Sequence, residues 1–449
     1  MYVVERAEGR SGGQARGRQP RAYLPTPLVI LLGRVLVRAM RLLRPGGGTA
    51  VPGLVVNRLA PGLLTRTLER FPGGLVIVTG TAGKSTTTKM LCAMLRAHGM
   101  TVFTNDSTAN ISQGLMSALL STIDLRGRVA SDIAVLEVDE AHCARITERV
   151  APATVVLTNV MTDQIDRFDE PERVADMLGE VASRATRNVV TNADDALLEE
   201  RTAGLRARRV RYGVTTEVLR SSPRGLGYLQ TSPTRLRGGI VVSEASGRWA
   251  TVRFRGVASR IELPAPGIQY AVDAAAAFAA ASAILGAAFD RSRVVSALGA
   301  LRPVFGRGEV VTVRGHPVEF VLVQNPASFQ LNLDALHLDG PARDRTGRDR
   351  HEGQRDQIMV AIGSDVRDPS YLWPVDTSSL RRVAMVSGSL AEETALQLLY
   401  RDVVVDRIGR DLATAVDEFL SLPAPARGTK TIVFSADCMR RVRSHLGLS

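Results

Sequence analysis

Short apolar runs alternate with longer segments of helical character through most of this 449-residue chain. The runs at residues 75–78, 132–138, 153–157 and 188–191 have the length and the apolar content of buried strands. A stretch that favours a helix follows each of them, and this alternation is typical of a mostly parallel sheet with helices on both faces. We therefore expect an α/β fold whose ligands bind at the carboxyl ends of the strands.

The pattern changes along the chain and predicts a domain organisation. Residues 1–22 are rich in Gly and Arg and predict a disordered basic tail, and residues 23–60 predict an amphipathic helix and a linker. Residues 61–302 form the expected central domain, in which residues 200–262 predict a small, mostly antiparallel insertion. The alternation resumes at residues 303–449, which predicts a second, Rossmann-like domain.

Residues 28–44 predict a helix in which Arg34, Arg38 and Arg41 lie three and four positions apart on one face. A basic amphipathic helix of this kind suits the interface of an anionic membrane. It suits equally well a helix that packs against the protein and leaves one arginine stripe in water. Both interpretations stay open at this point.

The loop GTAGKST at residues 80–86 carries the strongest chemical signal. Its backbone amides and the N-terminus of a helix expected near Ser85 can cradle a phosphate, Lys84 adds a positive charge, and the Ser85 hydroxyl can bind Mg²⁺. The longer P-loop pattern requires Gly at Val78 and fails, whereas the shorter pattern Gly-Thr-x-Gly-Lys-Ser/Thr fits. An ordinary glycine turn is the alternative, but the order of strand, loop, Lys-Ser and helix favours a phosphate site.

Carboxylates follow the strand at residues 132–138. Glu137, Asp139 and Glu140 lie at its carboxyl end, where a neighbouring phosphate loop would place its Mg²⁺ ligands. A charged helix start is the alternative interpretation of the same residues. The sequence thus predicts acidic side chains close to the loop.

Net charge and cysteine content indicate the kind of partner and the cellular location of the protein. The net charge of +12 suits an anionic partner, and it also fits an Arg-rich genome. Cys92, Cys143 and Cys438 are scattered without metal or disulfide spacing, so we expect a reducing, cytoplasmic location.

Taken together, these pieces resemble the Mur ligases. The loop GTAGKST, the sequence LEVDE that ends at Glu140, TNADD from Thr191 and an Ala-rich helix before a hinge at Arg302-Pro303 carry this resemblance. Within the family, the chain is most similar to the MurT branch, the ATP-binding subunits of lipid II isoglutaminyl synthase. That narrower resemblance rests on segments 46–53, 158–170, 305–309, 324–329, 365–376 and 386–400.

The resemblance implies a ligase subunit that uses ATP and Mg²⁺ in peptidoglycan and cell wall biosynthesis, a pathway that maintains cell shape. ATP would phosphorylate the α-carboxylate of D-glutamate in the lipid II stem peptide, and ammonia would then displace the phosphate and leave an amide. A class I glutaminase subunit of the GatD type would supply the ammonia in a heterodimer. The expected location is the cytoplasm, or the inner face of the membrane if residues 28–44 contact lipid as their basic amphipathic pattern allows, and no nucleic-acid partner is expected.

The resemblance also implies roles for individual residues. Lys84 and Glu137 would be catalytic, Ser85 and Glu137 would bind Mg²⁺, and Asp365 or Asp368 would complete the partner's Cys-His pair. For these two aspartates, loop capping or a local salt bridge is the alternative. Asn192 would lie near the adenine and Arg307 near the nucleotide across the hinge. The implied ATP-binding residues are Gly80, Thr81, Gly83, Lys84, Ser85, Thr86, Asn192 and Arg307.

Some positions depart from the family pattern. Residues 200–262 contain no cysteine, so the family's four-cysteine zinc ribbon is missing and no zinc is expected. Asp273 stands where an asparagine is usual, Gln324 replaces a lysine, and residues 434–437 lack the customary Pro-Thr-Tyr-Thr. Two other functions therefore stay open: a Mur-type ligase that joins an amino acid to a carboxylate, and a catalytically silent ATP-binding scaffold.

Overall fold

The computed structural model divides the chain into two compact units, Met1–Thr67 with Ser112–Val129, and Leu68–Ile111 with Ala130–Ser449. The residues that the structure describes are 24–43, 50–105, 112–161, 171–221, 225–228, 231, 236, 239–302, 307–323, 326–336, 357–366, 372–377, 380–425 and 429–448.

Helices and strands alternate over most of the described chain. The helices are α1 (Thr26–Leu43), α2 (Ala50–Leu59), α3 (Leu63–Leu68), α4 (Lys84–Ala97), α5 (Ser112–Leu120), α6 (Glu140–Thr147), α7 (Pro171–Ser183), α8 (Ala196–Arg201), α9 (Thr216–Arg220), α10 (Ile268–Leu285), α11 (Arg291–Gly299), α12 (Pro326–Leu336), α13 (Ala391–Leu399), α14 (Leu412–Ser421) and α15 (Ala436–His445). The strands are β1 (Leu75–Thr79), β2 (Val102–Thr104), β3 (Ile133–Glu137), β4 (Thr154–Leu157), β5 (Asn188–Asn192), β6 (Arg208–Val214), β7 (Ile240–Ser246), β8 (Trp249–Phe254), β9 (Val257–Glu262), β10 (Arg307–Val313), β11 (His316–Leu322), β12 (Ile358–Ala361), β13 (Arg382–Val383), β14 (Met385–Ser387), β15 (Val404–Val405), β16 (Ile408–Gly409) and β17 (Lys430–Phe434).

In the first unit, α1, α2 and α5 pack against one another. Helix α2 lies where the sequence predicts a linker, and it contains Pro52 and Gly53. Proline is tolerated there because the first turn of a helix does not need its N–H. Gly53 allows a close helix contact, because a Cβ at this position would lie 1.9 Å from the Gln113 carbonyl oxygen of α5. The linker prediction is therefore wrong for residues 50–59.

The second unit contains a nine-stranded sheet in the order β2-β3-β1-β4-β5-β6-β7-β8-β9. Neighbours from β2 to β7 are parallel, and β7, β8 and β9 pair antiparallel. The predicted β-rich insertion therefore extends the main sheet as its antiparallel edge. Val78 of β1 pairs with Glu137 of β3, and this register places the acidic strand end beside the loop that follows β1.

Helix α10 forms much of the core beneath this sheet. It packs against α4 and strands β4 to β7, and its small alanine side chains permit that close approach. Among the described residues, the stretch Ile268–Ala288 alone is long and apolar enough to span a membrane, but 61% of its apolar window is buried inside the protein. Its apolar character is accounted for by this packing.

A six-stranded sheet follows in the order β10-β11-β17-β12-β14-β16. Only β10 and β11 pair antiparallel within it, and apolar clusters lie on both of its faces. Residues 382–387 form two strands, because β13 pairs with β15 while β14 pairs with β12. The prediction of an α/β fold with a second sheet domain is confirmed.

Candidate active site

The loop between β1 and α4 has the backbone of an anion-binding turn. Gly80 and Gly83 adopt φ angles of 128° and 81°, in the region that favours glycine. A Cβ at Gly80 would lie 2.3 Å from Thr158 Oγ1, and one at Gly83 would lie 2.2 Å from Asp273 Oδ1. Helix α4 begins at Lys84, one residue before the predicted start, so its first amides point into this loop.

Asn159 holds the loop in shape. Its side chain accepts a hydrogen bond from the Ala82 amide at 2.8 Å and donates one to the Ala82 carbonyl at 3.2 Å. Its backbone carbonyl accepts from the Thr81 amide at 2.9 Å. The sequence shows Asn159 directly after a buried strand, but it does not show that β4 neighbours β1. This positioning residue was therefore not predicted as part of the site.

Lys84 folds back onto its own loop. Its Nζ donates to the carbonyls of Gly80 at 2.5 Å and Thr81 at 3.1 Å, and it forms an ion pair with Glu140 Oε1 at 3.2 Å. Burial alone would lower the pKa of Lys84, but the carboxylates of Glu140, Asp139 and Glu137 outweigh burial and raise it. The lysine thus stays cationic and is held within reach of the anion-binding turn.

Ser85 and Glu137 form the second polar pair of the site. The Ser85 hydroxyl donates to Glu137 Oε1 at 2.8 Å, and both residues are buried. The Asn105 side chain accepts from the Glu137 amide and donates to its carbonyl, each at 2.9 Å, and so anchors the end of β3. Both interpretations of the acidic segment 137–140 are correct in part. The Glu137 side chain contacts Ser85 of the loop, and Glu140 is the first residue of helix α6.

A hydroxyl and a carboxylate beside a phosphate loop are donors that fit Mg²⁺. This ion usually takes one or two protein carboxylates and fills its other positions with waters and phosphate oxygens. No group of three or more His, Cys, Asp or Glu side chains that could hold a metal occurs among the described residues. A metal at Ser85 and Glu137 would therefore be shared with the phosphates of a ligand.

An open cleft with an empty volume of about 760 Å³, part of which is bulk solvent at its mouth, adjoins the loop. Gly83 and Thr86 line one side, and Tyr228, Gln269 and Tyr270 line another. Ser328 and Asn332 of α12 also contribute to the wall. The mixture of aromatic and polar groups in its wall suits a small organic ligand.

Gln269 is the polar group of the cleft that sequence reasoning missed. Both of its amide atoms are buried and make no hydrogen bond to the described residues. Its side chain lies against Gly267, which has a φ of 127°. A Cβ at Gly267 would lie only 2.4 Å from Gln269 Oε1. Buried amides are rarely left unpaired, so this one is a candidate hydrogen-bond partner for a ligand in the cleft.

Asn192, predicted to lie near an adenine, is fully buried behind the cleft wall. Its Nδ2 donates to the Thr158 carbonyl at 3.0 Å, and its side chain hydrogen-bonds to Tyr228, which does line the cleft. Burial raises the pKa of its neighbours Asp194 and Asp195 to about 6. Asn192, Asp194 and Asp195 are thus buried next to the cleft wall. A direct role of Asn192 in nucleotide binding stays a prediction.

Of the residues predicted in the second domain, Asp365 is described with its side chain, and its hydrogen-bond partners lie in that same domain. Asp365 accepts a hydrogen bond from Ser435 Oγ at 2.6 Å and from the Asp437 amide at 3.0 Å, at the start of α15. This arrangement corresponds to the capping alternative. The backbone of Arg307 lies in β10, while its side chain and the whole of Asp368 lie outside the described residues.

Comparisons with known proteins show which families the chain resembles. Residues 78–281 match the Mur ligase middle domain family. The MurT subunit of lipid II isoglutaminyl synthase (glutamine-hydrolyzing) from Staphylococcus aureus strain COL is 30% identical over 148 residues, which are 33% of this chain and 33% of that protein. The MurT subunit from Streptococcus pneumoniae strain R6 is 33% identical over 175 residues, which are 39% of this chain and 38% of that protein.

The matched segment thus spans about a third of the length of these curated relatives. The UDP-N-acetylmuramate–L-alanine ligase of Bifidobacterium longum subsp. infantis is 27% identical over 265 residues, 56% of this chain and 50% of that protein.

Solved structures share the fold over a longer part of the chain. MurF from Acinetobacter baumannii has a TM-score of 0.62 at 15% identity and covers 88% of this chain and 81% of its own. The folylpolyglutamate synthase of Mycobacterium tuberculosis, complexed with ADP and AMPPCP, has a TM-score of 0.62 at 16% identity and covers 93% and 99%. Over residues 78–281 this chain therefore matches the Mur ligase middle domain family, it is similar to MurT subunits over about a third of its length, and it shares the fold of solved Mur ligase structures.

Proposed function

We propose that this protein is an ATP-dependent ligase that activates a carboxylate as an acyl phosphate and so allows an amide to form. One observation carries the proposal: Lys84 and the hydrogen-bonded pair Ser85–Glu137 both lie at the carboxyl ends of β1 and β3, beside an open cleft. The similarity to the Mur ligase middle domain supports the use of ATP.

The chemistry follows from the weakness of a carboxylate as an electrophile. A carboxylate oxygen attacks the γ-phosphorus of ATP, the bond to the β-phosphate oxygen breaks, and ADP leaves. An amine nitrogen then attacks the acyl carbon, phosphate leaves with the bonding electron pair, and the amine loses a proton. The net reaction converts ATP, carboxylate and amine into ADP, phosphate and amide.

The residues of the loop suit the first of these steps. Lys84 would exchange its bonds to the Gly80 and Thr81 carbonyls for oxygens of the transferring phosphoryl group, where a fixed cation is most effective. Ser85 and Glu137 would hold Mg²⁺, which supplies further charge neutralisation at the phosphates when bound. Gln269 would hydrogen-bond to the nucleotide in the cleft.

The finer proposal concerns substrate and partner. Similarity to MurT subunits supports the α-carboxylate of D-glutamate in the lipid II stem peptide as the acceptor, with ammonia supplied by a GatD-like glutaminase at the cytoplasmic face of the membrane. An exposed group of apolar side chains in the second domain offers a docking surface, with Trp373 and Tyr400 6.1 Å apart between ring centroids and Leu396 and Leu399 exposed. Exposed aromatic side chains are frequent anchors of protein interfaces.

A second candidate function is ligation of an amino acid instead of ammonia. The similarity to UDP-N-acetylmuramate–L-alanine ligase over 56% of the chain favours it. The third reading, a silent ATP-binding scaffold, is disfavoured because Lys84, Ser85 and Glu137 are all present and meet in one place.

The experiment is phosphate release from ATP by the full chain, expressed with and without a class I glutaminase. Release that requires lipid II together with glutamine or ammonium, with an amidated product in mass spectrometry, is the expected result. Release that requires a free amino acid instead favours the second function. Nucleotide binding without turnover for any combination would overturn the enzyme proposal.

A further inference from the structure

Helix α1 carries apolar side chains on two faces. Val29 and Ile30 are buried within the first unit. The apolar side chains of a second stripe are exposed by 40–61%, and their spacing of three, four and seven residues places them on one side of the helix. These are Leu28, Leu31, Leu32 and Val35. Single exposed leucines are ordinary, whereas a contiguous exposed stripe marks an interaction surface.

Helix α2 repeats this arrangement. Val51 and Leu54 are about half exposed, and the exposed Arg58 follows one turn later. On α1, the exposed Arg38 follows Val35 by three positions, so it continues the apolar stripe toward the C-terminal end of the helix. In both helices an apolar surface is followed by an arginine, whose long side chain can reach a polar layer next to an apolar one.

Arg34 does not belong to this surface, although it lies near Arg38 in the sequence. Its Nε donates to the Leu120 carbonyl at 3.0 Å, and its Nη2 donates to the Ile123 carbonyl. Arg34 therefore provides hydrogen-bond donors to carbonyls at and just after the C-terminal end of α5. The predicted stripe of Arg34, Arg38 and Arg41 is therefore wrong for Arg34, and the Arg41 side chain lies outside the described residues.

The charge around these helices selects the kind of partner. From residue 9 to residue 68 the chain contains no Asp or Glu, and it contains ten arginines. They are Arg10, Arg16, Arg18, Arg21, Arg34, Arg38, Arg41, Arg44, Arg58 and Arg66. A second copy of the chain would bring the same positive charge, which opposes pairing through this surface. An anionic lipid bilayer offers both negative charge and an apolar layer beneath it.

We propose that this surface inserts into the interface of an anionic membrane, with the apolar side chains below the headgroups and the two arginines among them. We call it the membrane face and define it by Leu28, Leu31, Leu32, Val35, Arg38, Val51, Leu54 and Arg58. The inference goes beyond the proposed function, because it is the same whichever carboxylate the protein activates.

The first test is flotation of the full chain with lipid vesicles. Vesicles of phosphatidylcholine alone are compared with vesicles in which roughly one third of the lipid is phosphatidylglycerol. We expect binding to the anionic vesicles, weakened by high salt but not abolished, because the apolar contribution is not screened. Equal binding to both vesicle types, or no binding to either, would overturn the proposal.

Variants locate the contact. Leu31→Glu with Val35→Glu should lower binding by about tenfold or more, because both charges would enter the apolar layer. Arg38→Ala should lower it by about fivefold, since one arginine near an anionic surface contributes about that factor. Val257→Glu is the matched control: Val257 is also about half exposed but lies in the second unit, so binding should be unchanged.

Two further measurements keep the result interpretable. Nucleotide binding and circular dichroism should be the same for the parent and all variants, because the membrane face is remote in sequence from the phosphate loop. If Leu31→Glu with Val35→Glu binds anionic vesicles as tightly as the parent, the proposal fails. It also fails if light scattering shows that this double substitution converts a dimeric parent into monomers, since a second copy would then cover the surface.

Discussion

The two α/β domains of the second unit use polar residues at their strand ends in different ways. At the ends of β1 and β3, Lys84 contacts the loop carbonyls and Glu140, and Ser85 contacts Glu137, so an incoming phosphate or Mg²⁺ can replace contacts that already involve charged groups. After β12, Asp365 accepts hydrogen bonds from Ser435 and the Asp437 amide and so caps α15. Polar residues at the carboxyl ends of strands thus contact an anion-binding loop in one domain and cap a helix in the other, and only their hydrogen-bond partners distinguish the two cases.

The strongest test of this contrast is Lys84→Ala. We expect loss of ATP turnover on the order of 10³-fold, because the only fixed cation seen in the loop would be removed from the transferring phosphoryl group. Lys89→Ala on the same helix should retain activity, since Lys89 points to the Arg302 carbonyl. The chain has only three lysines, Lys84, Lys89 and Lys430, so amine labelling with peptide mass spectrometry should show ATP protecting Lys84 selectively. Full activity of Lys84→Ala would remove the basis for both ligase functions.

Glu137→Gln tests the metal assignment. The Mg²⁺ concentration needed for half-maximal turnover should rise by roughly 10–100-fold, because a neutral amide is a weaker ligand for this ion than a carboxylate. Asp365→Asn is the control from the other domain and should leave the Mg²⁺ titration unchanged. If the two variants shift the titration equally, the contrast between the domains does not hold.

Asp194→Asn tests whether the buried carboxylate of Asp194, near the cleft, affects the stability of the fold or the binding of ATP. Burial raises the pKa of Asp194 to about 6, so the unfolded chain releases this proton at lower pH than the folded protein does. The folded state therefore loses stability as pH rises from about 4 to 6. We expect the variant to be more stable than the parent by about 1–2 kcal/mol at pH 7.5, with the difference vanishing near pH 4.

Thermal unfolding of both proteins across this pH range measures the effect. Asparagine keeps an oxygen that can accept from the Val214 amide, which Asp194 now binds at 2.8 Å. A variant that unfolds like the parent at every pH, yet loses ATP binding, would show that Asp194 belongs to the binding site and not to its support.

Gln269→Ala should have the smallest effect. We expect the KM for ATP to rise about fivefold with little change in kcat, because a hydrogen bond that binds ground state and transition state alike affects KM alone. Gln269→Glu should discriminate further, since it removes the amide donors and keeps acceptors. An unchanged KM in both variants would mean that this buried amide does not contact the nucleotide.

Much of the loop could be predicted because its determinants are contiguous. A buried strand, two glycines with positive φ, a lysine, a serine and a helix follow one another within residues 75–97, and each restricts the backbone of the next. Glu137 was predictable as well, because it ends a strand that the apolar pattern already marks. Helix α2 was missed because Pro52 and Gly53 favour turns locally, and only the contact with α5 explains Gly53.

The sequence by itself determined that a glycine-rich loop with the pattern of a phosphate site joins a strand and a helix of an α/β sheet, and that acidic residues follow a nearby strand. Only the tertiary structure decided which side chains meet: Asn159 clamps the loop, Gln269 faces the cleft, Asp365 caps a helix, and Arg34 turns inward while Leu31 and Val35 face out. The reason is physical. Strand and loop propensities act between neighbours in the chain, whereas partners at a site are set by strand order and helix packing, which join residues far apart in sequence.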